Sequence, residues 1–164
     1  MAKVFEGKFT TRNDEEVVVF IIGMRINKRW KIRKWGQVFL AKPPMIRELH
    51  ENKEELGFLS MESYFGLRTA LIIQYWKSVD HLQAYAKAGK HLAAWQDFNR
   101  KIGNNDAVGI FHETYRIAPG DYESVYRNMP KFGLGKALEH IPVDKHLNSA
   151  EKRFLAGKRK LKKA

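Results

Sequence analysis

The chain predicts an α+β fold, a ferredoxin-like βαββαβ plait with helices on one face of an antiparallel sheet. Three observations carry this. Runs rich in β-branched and aromatic residues fall at 16–26, 58–65, 69–76 and 108–117, each of strand length. Segments with helical periodicity and capping signals separate the first run from the second and the third from the fourth. Only a short connection, Gly66-Leu67 with Arg68, lies between the second and third, which makes that pair a hairpin.

Taken in order, Val4–Thr10 reads as a short edge strand or arm, and Asn13-Asp14 breaks the pattern. In Glu16–Ile26, alternation puts Val17, Val19, Ile21 and Arg25 on one face and Val18, Phe20, Ile22 and Met24 on the other. Lys28–Ala41 reads as a basic helix with Trp30, Ile32, Trp35, Val38 and Phe39 on one side. Pro43-Pro44 stops it, and Pro44 suits the first turn of a helix over Met45–Glu55 that Gly57 ends. Ser78 caps a helix over Val79–Ala88, with Asp80 favourable in its first turn. A further helix spans Lys90–Ile102 and closes at Gly103-Asn104-Asn105. After the strand Val108–Ile117, Pro119-Gly120 turns the chain into a short extended segment, Tyr122–Arg127. One domain over residues 1–140 and a basic C-terminal extension over 141–164 are expected. The uncovered sheet face is apolar, which predicts a homodimer that packs sheets together.

The 164 residues suffice for a real core, and 44% hydrophobic content argues for a globule. The absence of cysteine excludes disulfides, thiolate haem ligation, Cys-based zinc sites and thiol nucleophiles. The N-terminal residues show no apolar export signal, and no run reaches the roughly 18 apolar residues of a transmembrane span. A cytoplasmic protein is expected. Net charge is +12, concentrated at Lys28–Lys34 and in the lysine-rich tail. Such blocks bind nucleic acid or anionic surfaces in some proteins, but a solvated face and a frayed tail are the favoured reading. No phosphate-binding glycine loop or serine-hydrolase elbow occurs.

Two histidines carry the candidate chemistry. His91, Trp95, Phe98 and Ile102 share one helical stripe, and Val108, Ile110, His112 and Thr114 share one strand face. If that strand face looks toward the helices, both imidazoles point into one apolar layer. Periodicity by itself reads them as ordinary core histidines with satisfied ring nitrogens. No His-x3-His spacing occurs, so a zinc or non-haem iron triad is not supported.

The run Tyr75-Trp76-Lys77-Ser78-Val79-Asp80-His81-Leu82 through Ala86 to His91, with Gly109-Ile110-Phe111-His112-Glu113-Thr114-Tyr115, resembles the C-terminal half of haem-containing aldoxime dehydratases. The resemblance implies haem b as cofactor, His91 as proximal iron ligand and His112 as distal catalytic histidine. Trp95 and Arg25 then become cofactor-binding candidates, Arg25 at a propionate or simply at a strand end. Ser60, Ser63 and Arg25 are the stand-ins for the serine and arginine of the dehydratase pocket, though none lies in a matching motif. Met129 is a candidate to close that pocket. Over about residues 5–140 the chain is similar to a small bacterial family described as monooxygenase-like or phenylacetaldoxime dehydratase-like. That family belongs to the dimeric α/β-barrel superfamily. Its marks here are Gly23-Met24-Arg25-Ile26-Asn27 and Tyr126 to Gly135.

The expectation is therefore a haem-dependent enzyme of aldoxime dehydratase type, turning an aldoxime into a nitrile and water, or a monooxygenase. The chain has about half the dehydratases' length, which weakens that specific reaction. The alternatives are a cofactor-independent monooxygenase of the same architecture and a non-catalytic haem-binding or basic binding module. A small organic substrate is the expected partner.

Overall fold

The computed structural model describes residues 2–33, 35–36, 42–88, 92–93, 96, 100 and 106–161. Strands β1 (Phe5–Thr11), β2 (Val17–Ile26), β3 (Phe58–Phe65), β4 (Thr69–Trp76), β5 (Val108–Ile117), β6 (Tyr126–Met129) and β7 (His140–Pro142) form two antiparallel sheets. The larger runs β3-β4-β2-β5 and the smaller β6-β1-β7. Helices are α1 (Lys42–Glu51), α2 (Lys53–Leu56), α3 (Val79–Lys87), α4 (Leu134–Ala137) and α5 (Ala150–Leu161). The larger sheet puts the first and third expected strands side by side and flanks them with the second and fourth. This is the ferredoxin-like order.

β2 sets the register. Val18, Phe20, Ile22 and Met24 align with Trp76, Gln74, Ile72 and Ala70 on β4. On β5 their partners are Arg116, Thr114, His112 and Ile110. Because cross-strand partners share a face, these residues form one surface, and the helices cover it. Val18, Phe58, Met61, Ile72 and Trp76 pack there with Leu49 of α1 and with Leu82 and Tyr85 of α3. The Phe58 and Trp76 rings meet edge-on with centroids 5.3 Å apart. Each large side chain so buried contributes about 1.5–3 kcal/mol. A second cluster, Met24, Ala70, Ala107 and Val108, receives Trp35.

Local signals explain the helix ends. The Ser78 hydroxyl accepts from the His81 backbone N–H at 3.3 Å and opens α3. Gly57 closes α2 with φ 65, a left-handed conformation that costs glycine little. α1 begins at Lys42, earlier than expected, with Pro43 and Pro44 in its first turn, where a missing N–H breaks no helical hydrogen bond. The expected apolar side of residues 28–41 does not form at its start, since Trp30 and Ile32 are exposed. Val38 and Phe39 lie outside the described residues, as does most of the expected helix Lys90–Ile102 with its turn at Gly103-Asn104-Asn105.

The second sheet lies past the open face of the first, and α4 bridges them. The Gly133 N–H donates to Glu62, the Ser60 hydroxyl donates to the Gly133 carbonyl, and the Gly135 N–H donates to the Tyr126 hydroxyl. The last expected strand sits four residues later than Tyr122, at Tyr126–Met129, because Tyr122 instead buries its ring and donates to the Glu15 carbonyl. Beyond residue 140, where a basic extension is expected, Ile141 pairs with Thr10 and α5 buries Arg153 against Glu123.

Candidate functional site

β5 is an edge strand, and period-two alternation turns Val108, Ile110, His112 and Thr114 toward the helix-covered side. His112 is exposed there, opposite Ile22 in register, and its imidazole is tilted 40° to the Phe20 ring with centroids 5.8 Å apart. The floor beside it is apolar: Phe20, Ile22 and Ile72. On this face of the larger sheet the other ionisable strand side chain is Arg116, whose Nε donates to Glu16 at 2.8 Å. His112 is thus the strand residue on this face whose side chain offers both a proton donor and a proton acceptor.

Gln74 adds a polar group that sequence reasoning missed. It is buried on the same face, and its Oε1 accepts from the Trp76 indole N–H at 3.1 Å. The available signal was the set Ala70, Ile72, Gln74, Trp76, in which one amide interrupts an inward-facing apolar row. Tyr85, on α3 over this layer, has its phenol pushed up to about 12 by burial, with the Glu48 carboxylate adding to the effect. It stays protonated and is no base at neutral pH.

The remaining candidates divide by face. Ser63 partners Ile72 on the helix-covered side and is exposed. Arg25 pairs with Thr69 and Gly109 on the opposite face. A register shift between Phe58 and Ser60 sends Ser60 to that opposite face too, where it bonds Gly133. Met129 pairs with Phe5 in the smaller sheet. The structure therefore brings Ser63 to the layer of His112, and places Arg25, Ser60 and Met129 elsewhere. His91 and Trp95 lie outside the described residues.

The opposite face has its own polar cluster. Glu62 accepts from the Gly133 N–H at 3.1 Å and pairs with Lys136 at 2.9 Å. The Tyr75 phenol is pushed up to about 12 by burial first and then by Tyr126, Tyr64 and Glu62. This cluster fastens α4 to the sheet. Toward β5 the face is open: Phe111 and Tyr115 are 39% and 49% exposed. Among the described residues no group of three or more His, Asp or Glu could hold a metal ion, and no helix is long and apolar enough to cross a membrane.

Among solved structures, an aldoxime dehydratase in complex with butyraldoxime superposes with a TM-score of 0.65 at 16% identity, covering 83% of this chain and 42% of that one. A second aldoxime dehydratase gives 0.59 at 15% identity, covering 92% and 44%. At such identities the likeness establishes the fold. The curated relative Monooxygenase af470 of Aspergillus fumigatus is 32% identical over 130 residues, 73% of this chain and 46% of the relative. The chain thus spans about half the length of that relative. Residues 17–134, which run from the first strand of the larger sheet to α4, match the family described as Monooxygenase af470-like. By that match and by the 32% identity, the chain belongs to the monooxygenase af470-like family.

Proposed function

We propose that the chain is a monooxygenase for a small organic molecule that lies against the helix-facing side of β2 and β5, with His112 as its proton-transferring residue. The observation that carries this reading is the position of His112, an exposed imidazole on a sheet strand beside the apolar Phe20 and Ile22. An electron-rich substrate seated there loses a proton from C–H or O–H to His112. The resulting anion passes one electron to dioxygen, and recombination of the two radicals forms the new C–O bond. The proton held by His112 goes back to the peroxide, and loss of water leaves the carbonyl product. Gln74 supplies an amide to orient a polar substituent, and the apolar floor holds the ring or chain. The assembly is a homodimer through the open sheet face, supported by the exposure of Phe111 and Tyr115.

A second reading places haem b in the same layer, supported by the face on which His112 lies, the one the dehydratase resemblance requires of a distal histidine. An imidazole above an apolar floor fits one side of a porphyrin. His91 would be the residue that holds the iron, as the resemblance implies, and bound haem would supply a Lewis acid for a substrate nitrogen. His112 then gives its proton to a departing hydroxyl. Arg25, on the other face, takes no part.

One experiment separates the readings. The purified chain, with and without added haem, is offered electron-rich phenols and, separately, butyraldoxime. Oxygen uptake that needs no haem and is lost in His112→Ala supports the first reading. A Soret band abolished by His91→Ala, with nitrile formation, selects the second. Full turnover by His112→Ala of every accepted substrate overturns the role of His112 in both.

A further inference from the structure

The end of the larger sheet where β2 stops and β3 turns into β4 carries a surface that the proposed chemistry does not use. Leu67 at the hairpin turn is 91% exposed, and Trp30 and Ile32, just past β2, are 76% and 62% exposed. Phe65 stands beside Leu67 at 74%. The two segments are tied at their base, because the Ile26 N–H donates to the Arg68 carbonyl at 2.7 Å. Gly66 closes the hairpin onto the Thr69 carbonyl at 2.8 Å, and the Asn27 N–H donates to the Ala107 carbonyl at 2.9 Å. Four large apolar side chains are therefore exposed at or just past one end of the sheet, which is uncommon on a protein surface.

Cations are interleaved with them: Lys28, Arg29, Lys31 and Arg33 around Trp30 and Ile32, and Arg68 beside Leu67. Asp106 pairs with both Lys28 and Lys31. Among the described residues no ion pair engages Arg29, Arg33 or Arg68. The pole keeps a strong positive excess on a chain of net charge +12.

We propose that this pole docks the protein on an anionic lipid bilayer. Trp30, Ile32 and Leu67 enter the boundary between headgroups and acyl chains, and Arg29, Arg33 and Arg68 meet lipid phosphates. The chemistry separates this occupant from its rivals. Nucleic acid would use the cations but gains little from Ile32 and Leu67. A second copy of the chain would bring the same sign of charge. A bilayer takes both parts at once: indole is favoured at the interface, and basic residues are attracted by anionic headgroups.

The test is co-sedimentation of the full chain with vesicles of phosphatidylcholine alone or mixed with phosphatidylserine. The expected result is binding to the anionic vesicles only, weakening as salt rises, with a blue-shifted tryptophan emission that Trp30→Ser removes. Leu67→Ser, which changes no charge, should weaken binding about tenfold. Both sites are exposed, so thermal melts should match the parent, and a matching melt makes lost binding interpretable. Failure to bind anionic vesicles overturns the proposal. So does binding that survives Trp30→Ser with Leu67→Ser, which assigns it to the C-terminal lysines. Tight binding of a single-stranded oligonucleotide that these substitutions abolish, without vesicle binding, overturns it in favour of nucleic acid.

Discussion

Phe111 lies over Gly23, its register partner across the β2–β5 ladder, with its ring in the space that a side chain at residue 23 would occupy. An added Cβ would collide with the far edge of that ring and come within 3.2 Å of the Ala70 carbonyl oxygen. Gly23→Ala should therefore displace the ring at a cost of about 1–2 kcal/mol. With Phe111→Ala present, the added cost should largely vanish. A urea double-mutant cycle reads this coupling, and strictly additive losses would show that the ring does not respond to residue 23.

The same ring belongs to the open face. Phe111 and Tyr115 project from β5 there, beside the half-buried Val19 and Ile21 of β2. A charge in the middle of a sheet-on-sheet interface would be desolvated without a partner. Phe111→Glu should halve the mass measured by light scattering and leave the circular dichroism unchanged. A monomeric parent protein would remove the dimer from the proposed function.

The larger sheet was legible because its four strands are long and rich in β-branched or aromatic residues, so alternation grouped His112 with Val108, Ile110 and Thr114; only the pairing with β2 sets that group on the face of Phe20 and Ile22. The smaller sheet was not. Its strands Tyr126–Met129 and His140–Pro142 are short and half polar, and only distant pairing with β1 makes them strands. Trp30 and Ile32 misled for a different reason: helical spacing of apolar residues was present, but no neighbouring core receives them. The shift at Ser60 left no mark in residue identity, so its face could not be read.

Arg153 shows why residues past 140 escaped a composition-based reading. In sequence it is one more cation near a lysine-rich tail. In the fold its side chain is 7% exposed, its Nε donates to Glu123 at 2.6 Å and its guanidinium to the Leu147 carbonyl at 3.0 Å. Its own carbonyl accepts from Asn13 at 2.8 Å. Arg153→Ala leaves the Glu123 carboxylate half-buried without its partner, and should destabilise by about 3 kcal/mol. Exposed Lys152→Ala serves as the control and should change stability by less than about 0.5 kcal/mol. Equal urea midpoints for the two variants would mean that α5 does not belong to the cooperative unit.

His140 extends the argument to pH. Its ring stacks on Phe9 with centroids 4.7 Å apart and planes 8° from parallel, with Phe5 at 5.1 Å and Tyr126 at 5.4 Å. Both ring nitrogens are buried and have no hydrogen-bond partner among the described residues. Burial, then the charge of Lys131, holds the imidazole below its usual value of 6.5. As pH falls below 6.5 the unfolded chain takes up the proton first. Stability is therefore full above that value and declines toward the lower folded-state value, rising with pH across the window. His140→Phe keeps the aromatic contacts and removes the proton site. It should flatten the difference in stability between about pH 7 and about pH 5, at little or no cost at neutral pH. The other histidines are common to both proteins, so subtracting the two pH profiles isolates residue 140. A parent and variant with parallel profiles would mean that water reaches this imidazole inside its aromatic cage.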